Sequence, residues 1–336
     1  MVTKHAQSGL APAVGLQEKG IVIIFGKNMT MKMLLFFVLS SLLCFPGAIV
    51  YEKGCDRAGD GACRCGGDSL LVVSWNVENF MDYRADSTGR YTRGRFVAKC
   101  NGIAKTLLMI AEREGRLPDA VALMEVGNRF ALERLLRDTP LRKLGYSIVH
   151  YDSPDRRGID CALLYRDSTM RLRASAPKHL TDSSGAVMAT RDILVAEFDS
   201  LAILVNHHPS KVGADSERRR AVAMRRMTAL ADSLAASGTR RILSVGDFND
   251  DVWHIPQARG TIKYNGAWEK IDGYFAYGPM EVRETVFDHP LLTEPDKAFG
   301  GTKPRRAYSG PRWLGGISDH YPIILKICNT RQLLLP

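Results

Sequence analysis

Cysteine is scarce in this sequence, with seven in 336 residues. No Cys/His spacing of the zinc-finger kind occurs and no separate basic helical domain is visible, so a dedicated base-reading module is excluded. No internal repeat or low-complexity block interrupts the chain from Leu70 onward, which leaves one continuous domain there. Long apolar runs are also missing, with one exception. Lys32 is followed by Met33 to Val50, an apolar stretch broken by Ser40, Ser41, Pro46 and Gly47.

That exception has the shape of a secretory signal with a short basic flank, and it predicts export, as a secreted or periplasmic protein. An uncleaved anchor is the alternative, because the run is at the short edge of what spans a bilayer. Met29, Met31 and Met33 stand just before it, so residues 1 to about 28 are expected to be an upstream start-site artefact. The expected organisation is residues 1–50 for start and signal or anchor, 51–68 for a Cys/Gly-rich linker and 69–330 for the folded domain. A lipidated Cys44 is disfavoured, since Ser41-Leu42-Leu43 lacks the small residue that normally precedes such a cysteine. Two of Cys55, Cys63 and Cys65 could pair in an exported protein, and no histidine lies among them to complete a zinc site. Cys100, Cys161 and Cys328 fall in apolar, periodic stretches and are expected to be small buried core residues.

With 45% hydrophobic and 24% charged residues the composition is globular, and the formal charge of +10 favours a polyanionic partner. Short apolar runs at 70–74, 120–124, 146–151, 159–165, 193–198, 202–206, 242–245, 271–276 and 321–327 predict strands. Helical spacing of Ile103, Leu107, Leu108 and Ala111 predicts a helix over 96–114. Ala221, Met224, Met227, Ala231 and Leu234 predict another over 215–236. Many strands with few helices imply an α/β fold of two packed sheets with helices outside.

The polar groups that could do chemistry gather at the C-terminal ends of these strands. Asn76 and Glu78 end the first, Glu125 ends the second, and His207 with His208 ends the strand in LVNHHPSK. Asp247 and Asn249 follow RILSV, and Asp319 with His320 opens the last strand. Singly, each has an ordinary explanation: Gly-Asp-x-Asn is usually a turn whose side chains bond their own backbone. Their recurrence at one rim is what carries weight. Hard oxygen donors with imidazoles suit magnesium or manganese, with calcium also admissible, better than zinc. Such an ion beside a proton-transferring histidine is suited to phosphate-ester hydrolysis.

The ordered set SWNVENF, ALMEV, VNHHPSK, GDFND and ISDHYPI resembles the endonuclease/exonuclease/phosphatase superfamily, whose fold is that of deoxyribonuclease I. The resemblance runs from Leu70 to about Ile327. It implies a four-layered α/β sandwich, two mixed sheets flanked by helices, and a catalytic domain over 69–330. It also implies that Asn76, Glu125 and Asp319 hold metal, and that Asp247 and Asn249 contact the scissile phosphate or orient the attacking water. His320 would perform acid/base chemistry, with Asp272 of EKIDGYFA orienting it. Strand alternation lets only one of His207 and His208 face the rim. The resemblance, to members with Asn-His, a variable residue and then Pro-Ser-Lys, selects His207, with Asp160 as its expected carboxylate partner.

The superfamily spans several substrates, so flanking charge has to choose among them. Lys211, Lys303, Arg305 and Arg306 could track a phosphate backbone, with Tyr308 stacking on a base or sugar. Arg218 to Arg220 and Arg225 to Arg226 are expected to be a solvated helix face. The expectation is a monomeric, metal-dependent nuclease of low sequence specificity, preferring DNA to RNA, with no protein partner and membrane contact only through an N-terminal anchor. A sphingomyelinase or an inositol-phosphate phosphatase is the alternative within the superfamily. A binding protein that has lost catalysis is less favoured, because it predicts decay of an acid/base set that is complete here.

Overall fold

The computed structural model describes residues 69–213, 215–251 and 260–329; the expected start, signal and linker segments, with Cys44, Cys55, Cys63 and Cys65, lie outside them. In chain order the sheet strands are β1 Leu70–Phe80, β2 Ala120–Val126, β3 Tyr146–His150, β4 Asp160–Arg166, β5 Leu172–Lys178 and β6 Ile193–Phe198. They continue with β7 Ala202–His207, β8 Ile242–Asp247, β9 Asp272–Tyr277, β10 Met280–Val286 and β11 Ile323–Asn329. One sheet runs β10-β11-β1-β2-β4-β3 and the other β9-β8-β7-β6-β5. Both are mixed, because β1 pairs with β2 and β7 with β8 in parallel while their other neighbours are antiparallel.

Alternation along the strands sorts the core into three layers. Val72, Ala122, Met124, Ile203, Val205, Leu243 and Val245 meet between the sheets. On the opposite face of the first sheet, Val73, Trp75, Val121 and Leu123 pack under helices α1 (Arg93–Glu114) and α2 (Arg129–Asp138). On the outer face of the second sheet, Leu204 and Ile242 pack under helix α3 (Ser216–Ala236) through Ala223, Met227 and Ala231. The result is the expected four-layered α/β sandwich. Sheets with both faces covered explain why their strands appear in the sequence as short continuous apolar runs.

Helix α1 begins where the Thr92 side chain accepts a hydrogen bond from the Arg95 amide, and it stops at Gly115, whose φ of 66° suits a residue without Cβ. Helix α2 is about three turns long and amphipathic, burying Ala131, Leu132 and Leu135 on one face, so its apolar spacing is a signal the sequence carried and the expected elements left out. Strands β5 and β10 escape apolar periodicity because each lies at a sheet edge, half exposed, and β5 contains Pro177. Cys100 and Cys161 are buried free thiols, as expected, and burial pushes the Cys100 thiol up to about 12. Cys328 is buried but disulfide-bonded, which corrects its expected place as a simple core residue.

Candidate functional site

Strand register builds half of the site. Parallel pairing sets His207 of β7 beside Asp247 of β8, and antiparallel pairing sets Asp247 beside Asp272 of β9. Directly paired residues share a face, so the three form one row that continues the inter-sheet core into the rim. His207 Nε2 lies 3.6 Å from Asp247 Oδ2, which also accepts a 3.0 Å hydrogen bond from Asn76 Nδ2. Asp247 Oδ1 accepts the Asn249 amide at 2.9 Å, and Asn249 turns its own amide group to the His208 carbonyl at 3.0 Å. Gly246 makes this approach feasible: a Cβ there would sit 1.9 Å from the Asn206 carbonyl oxygen.

His320 completes the row from outside the sheet. Its Nδ1 bonds Asp272 Oδ2 at 2.8 Å, and Thr261 Oγ1 donates to the same oxygen at 2.6 Å. Its Nε2 lies 4.0 Å from Asp247 and 3.9 Å from Asp319. Trp75, fully buried under α1, donates its indole N–H to the His320 carbonyl at 2.9 Å, tying the loop to the core. Burial opposes a charge on this imidazole, but Asp272, then Asp247 and Asp319, outweigh it and raise the pKa well above the usual value. Burial and the Asp272 carboxylate push Asp247 up to about 7.

The two adjacent histidines part as alternation requires. His207 faces Asp247 and Glu125, with Glu125 Oε1 4.0 Å from its Nε2. His208 turns to the α3 side, its ring edge-on to Phe248 at 5.0 Å. Burial and Arg191 hold both in the neutral form, His208 down to about 3 and His207 well below its usual range. The expected Asp160–His207 pair is not formed. Asp160 begins β4 in the other sheet, where it meets His150 Nε2 at 3.2 Å and accepts the Ser153 amide and hydroxyl at 2.8 and 2.6 Å. His207 Nδ1 is left buried without a hydrogen-bond partner.

The first sheet supplies its groups through irregular backbone. The register of β1 on β2 shifts between Asn76 and Phe80, and that of β2 on β4 shifts between Met124 and Val126. Glu78, Asn79 and Glu125 all have φ between 46° and 63°. Strict alternation would send Glu125 to the helix side with Val121 and Leu123. The bulge instead turns it to the rim, where Oε2 accepts the Asn79 amide at 2.8 Å and Arg157 approaches Oε1 at 3.4 Å. Glu78 is buried and accepts the amides of Ala307 and Tyr308 at 2.6 and 2.9 Å. Burial and the nearby Asp319 push Glu78 up to about 7.

Glu125 and Asp319, their side chains 12% and 23% exposed, open to the rim. Together with Asn76, whose Oδ1 also accepts the Glu78 amide at 3.0 Å, they are oxygen donors without cysteine, a chemistry that suits a hard divalent cation. A cation there would also relieve the crowding of Glu78 and Asp319. Acidic and imidazole groups that could hold a metal are thus present. The triad of Asp247, Asp272 and His320 also meets the geometric requirement, but His320 Nδ1 and Asp272 Oδ2 are already committed to each other.

Three contributors escaped the sequence reading in part or whole. Glu78 stands in the SWNVENF motif, yet its grip on the 307–308 backbone needed the fold. Lys99 is fully buried on the apolar stripe of α1, three residues after Phe96, and donates to the carbonyls of Val77, Glu78 and Ile317. A lysine on such a stripe is a usable signal. Arg191 donates to the carbonyls of His207 and His208 and bonds Asp155 at 3.2 Å, and nothing in its local sequence marks it.

The expected substrate contacts are redistributed. Lys211 pairs with Glu269 at 2.6 Å and Lys303 approaches Glu294 at 3.7 Å. Arg306 is held by Asp319 at 2.9 Å, beside Glu78 at 3.8 Å, while Arg305 is exposed. Tyr308 is 3% exposed and packed edge-on against Tyr91 and Trp313, so it offers no open face for stacking.

A family model described as the endonuclease/exonuclease/phosphatase family matches residues 73–271. Comparison with curated proteins finds no match. Among solved structures, an endonuclease/exonuclease/phosphatase family protein from Bacteroides thetaiotaomicron shares 16% identity, over 79% of this chain and 99% of that one, with a TM-score of 0.52. A mannosyl-6-phosphatase from the same organism shares 17%, over 77% and 99%, with a TM-score of 0.51. TDP2 from Caenorhabditis elegans shares 16%, over 79% and 75%, with a TM-score of 0.50. At these identities the structures speak to the fold.

Proposed function

Because the chain belongs to the endonuclease/exonuclease/phosphatase family, whose members hydrolyse phosphoesters, we propose that it is a metal-dependent phosphodiesterase acting on nucleic acid. The observation that carries the reading is the row His207–Asp247–Asp272 with His320, facing the carboxylates Glu125 and Asp319 across one rim. Glu125 and Asp319, backed by Asn76, would hold magnesium or manganese. The ion would supply positive charge to neutralise the phosphate and the developing charge on the leaving oxygen.

The chain's own groups divide the remaining work. Asp247, buried and with a pKa near neutrality, is suited to accept a proton from the attacking water, and Asn249 and Asn76 hold its carboxylate in place. His320 carries its proton at neutral pH because Asp272 stabilises the imidazolium, so its Nε2–H can meet a phosphate oxygen or protonate the leaving group. His207, held neutral, presents Nε2 to the same space and can accept or share a proton there. Two imidazoles with opposite protonation in one rim divide the acid and base tasks.

The net charge of +10 and the guanidinium of Arg157 beside Glu125 support a polyanionic substrate. Export is proposed as well, supported by the apolar run after Lys32 and by the disulfide at Cys328, a bond that persists in oxidising compartments. The test is to incubate the purified protein with bis(p-nitrophenyl) phosphate, DNA, RNA and mannose 6-phosphate, each with magnesium or manganese and each with chelator. Diester and nucleic-acid cleavage that disappears in chelator is expected. Full cleavage in chelator, or cleavage of the monoester alone, would refute the reading.

A further inference from the structure

On helix α3, Arg218, Val222, Arg225 and Arg226 recur at spacings of four, seven and eight, which places them on one stripe. The stripe is exposed at its arginines and borders a groove. The connection between β5 and β6, at Thr181–Ala189, stands opposite it and encloses a groove of about 830 Å³, to which the β3–β4 loop contributes Arg156. Among the described residues, Arg156, Arg218, Arg225 and Arg226 form no ion pair, although all four are exposed. Asp182 and Asp215 also line the groove; Asp182 closes its own turn, accepting the amides of Ser184 and Ala186 at 2.8 and 3.1 Å, and the nearby Arg218 charge acts on it.

Topology places the groove beside the rim already described. Leu194 pairs with Val205, so the β5–β6 connection lies at the end of β7 that carries His207. Helix α3 starts eight residues after His208, running back from the same end, and Arg156 neighbours Arg157, which reaches Glu125. Arg191 joins the pieces, bonding Asp155 and the carbonyls of His207 and His208. From Arg218 to Arg225 the helix advances about 10 Å, so the stripe can meet more than one phosphate of a strand laid along it.

We propose that this arginine-lined groove is the track along which a nucleic-acid strand leaves the candidate active site, its phosphates on Arg156, Arg218, Arg225 and Arg226. The proposal deepens the nuclease reading and rests on it for the identity of the strand. A concave groove in which guanidiniums outnumber carboxylates, with Met188 and Val222 also in its lining, complements a chain of spaced phosphates better than a flat membrane surface.

Binding, measured without catalysis, tests it. Fluorescence anisotropy of a long and a short labelled single-stranded oligonucleotide is followed in chelator over a salt series. The parent protein is compared with R218Q/R225Q/R226Q and R218K/R225K/R226K. The Gln variant should bind the long strand about ten- to a hundredfold more weakly at low salt, with a log–log salt slope shallower by about 2, roughly 0.7 for each lost contact. The Lys variant should keep the parent's slope, and the thermal midpoint of both should match the parent's. An unchanged slope in the Gln variant would overturn the proposal. So would equal loss in the Lys variant, absence of oligonucleotide binding by the parent, or parental binding to phosphatidylserine vesicles in place of oligonucleotides. Hydrolysis of bis(p-nitrophenyl) phosphate by the parent tests the catalytic reading separately, so a failed groove and a failed phosphodiesterase are distinguishable.

Discussion

The two sheets bring their groups to the shared rim by different means. The second sheet uses regular ladders, in which His207, Asp247 and Asp272 are direct partners on three neighbouring strands and alternation alone aims them. The first uses bulges and left-handed residues at Glu78, Asn79 and Glu125, and the buried Lys99 holds the resulting turn by the Val77 and Glu78 carbonyls and ties it to that of Ile317. Groups that exchange protons with one another sit well on a rigid ladder with fixed spacing. Carboxylates that must converge on a cation from separate strands need the backbone to leave the ladder.

That division can be broken by mutation. The largest effect is expected from His207→Ala or His320→Ala, each lowering turnover of a small diester by about two to four orders of magnitude. Both should retain manganese affinity by calorimetry, whereas Glu125→Gln should lose it. Equal loss of manganese affinity in the histidine and Glu125 variants would erase the distinction between the sheets.

Next in size is Lys99→Met, which strands three buried carbonyls, each worth about 1–3 kcal/mol when left unsatisfied. Urea unfolding should show a loss of several kcal/mol, together with weaker metal binding. A variant as stable as the parent would mean that the turn holds itself.

Asp272→Asn sharpens the regular side. Without that anion His320 should deprotonate at lower pH, moving the alkaline limb of the rate profile down by about 1–3 units. An unmoved limb would assign it to another group.

The smallest effect at neutral pH is expected from His208→Phe, since His208 packs against Phe248 and takes no part in the row. Its effect belongs in acid. With a folded pKa of about 3, below the unfolded value near 6.5, His208 leaves stability intact above pH 6.5. It erodes stability as pH falls towards 3, by about 1.4 kcal/mol per unit. The Phe variant should therefore unfold less steeply between pH 6.5 and 3, and an unchanged acid transition would show that other groups govern it.

Nine expected strands and two helices lie where the apolar runs placed them, and the fold brings Asn76, Glu125, His207, Asp247, Asn249, Asp319 and His320 to one rim. Beyond α2, what escaped has a physical reason in each case. Strands β5 and β10 are edges with half-exposed faces. Asp160 is taken by His150 and Ser153, partners within its own sheet and adjoining loop, and Glu125 is the first-sheet carboxylate that reaches His207, which sequence spacing does not reveal. Tyr308 looked like an exposed aromatic in a basic loop, yet Tyr91 and Trp313 cover it.

Local pattern determined the elements and the inventory of reactive groups, because apolar periodicity and turn chemistry act over a few residues at a time. It also determined that only one of His207 and His208 could face the rim, since alternation is a property of the strand itself, while the family resemblance selected His207. Tertiary structure alone decided which groups touch: the register that aligns His207 with Asp247 and Asp272, the bulges that rotate Glu125 inward, and the reach of Lys99 and Arg191 to carbonyls far along the chain. It also decided that the exposed arginines of α3, solvated as expected, flank a groove shared with the β5–β6 connection. The physical reason is that such contacts depend on how separate elements pack against one another, which no short window of sequence encodes.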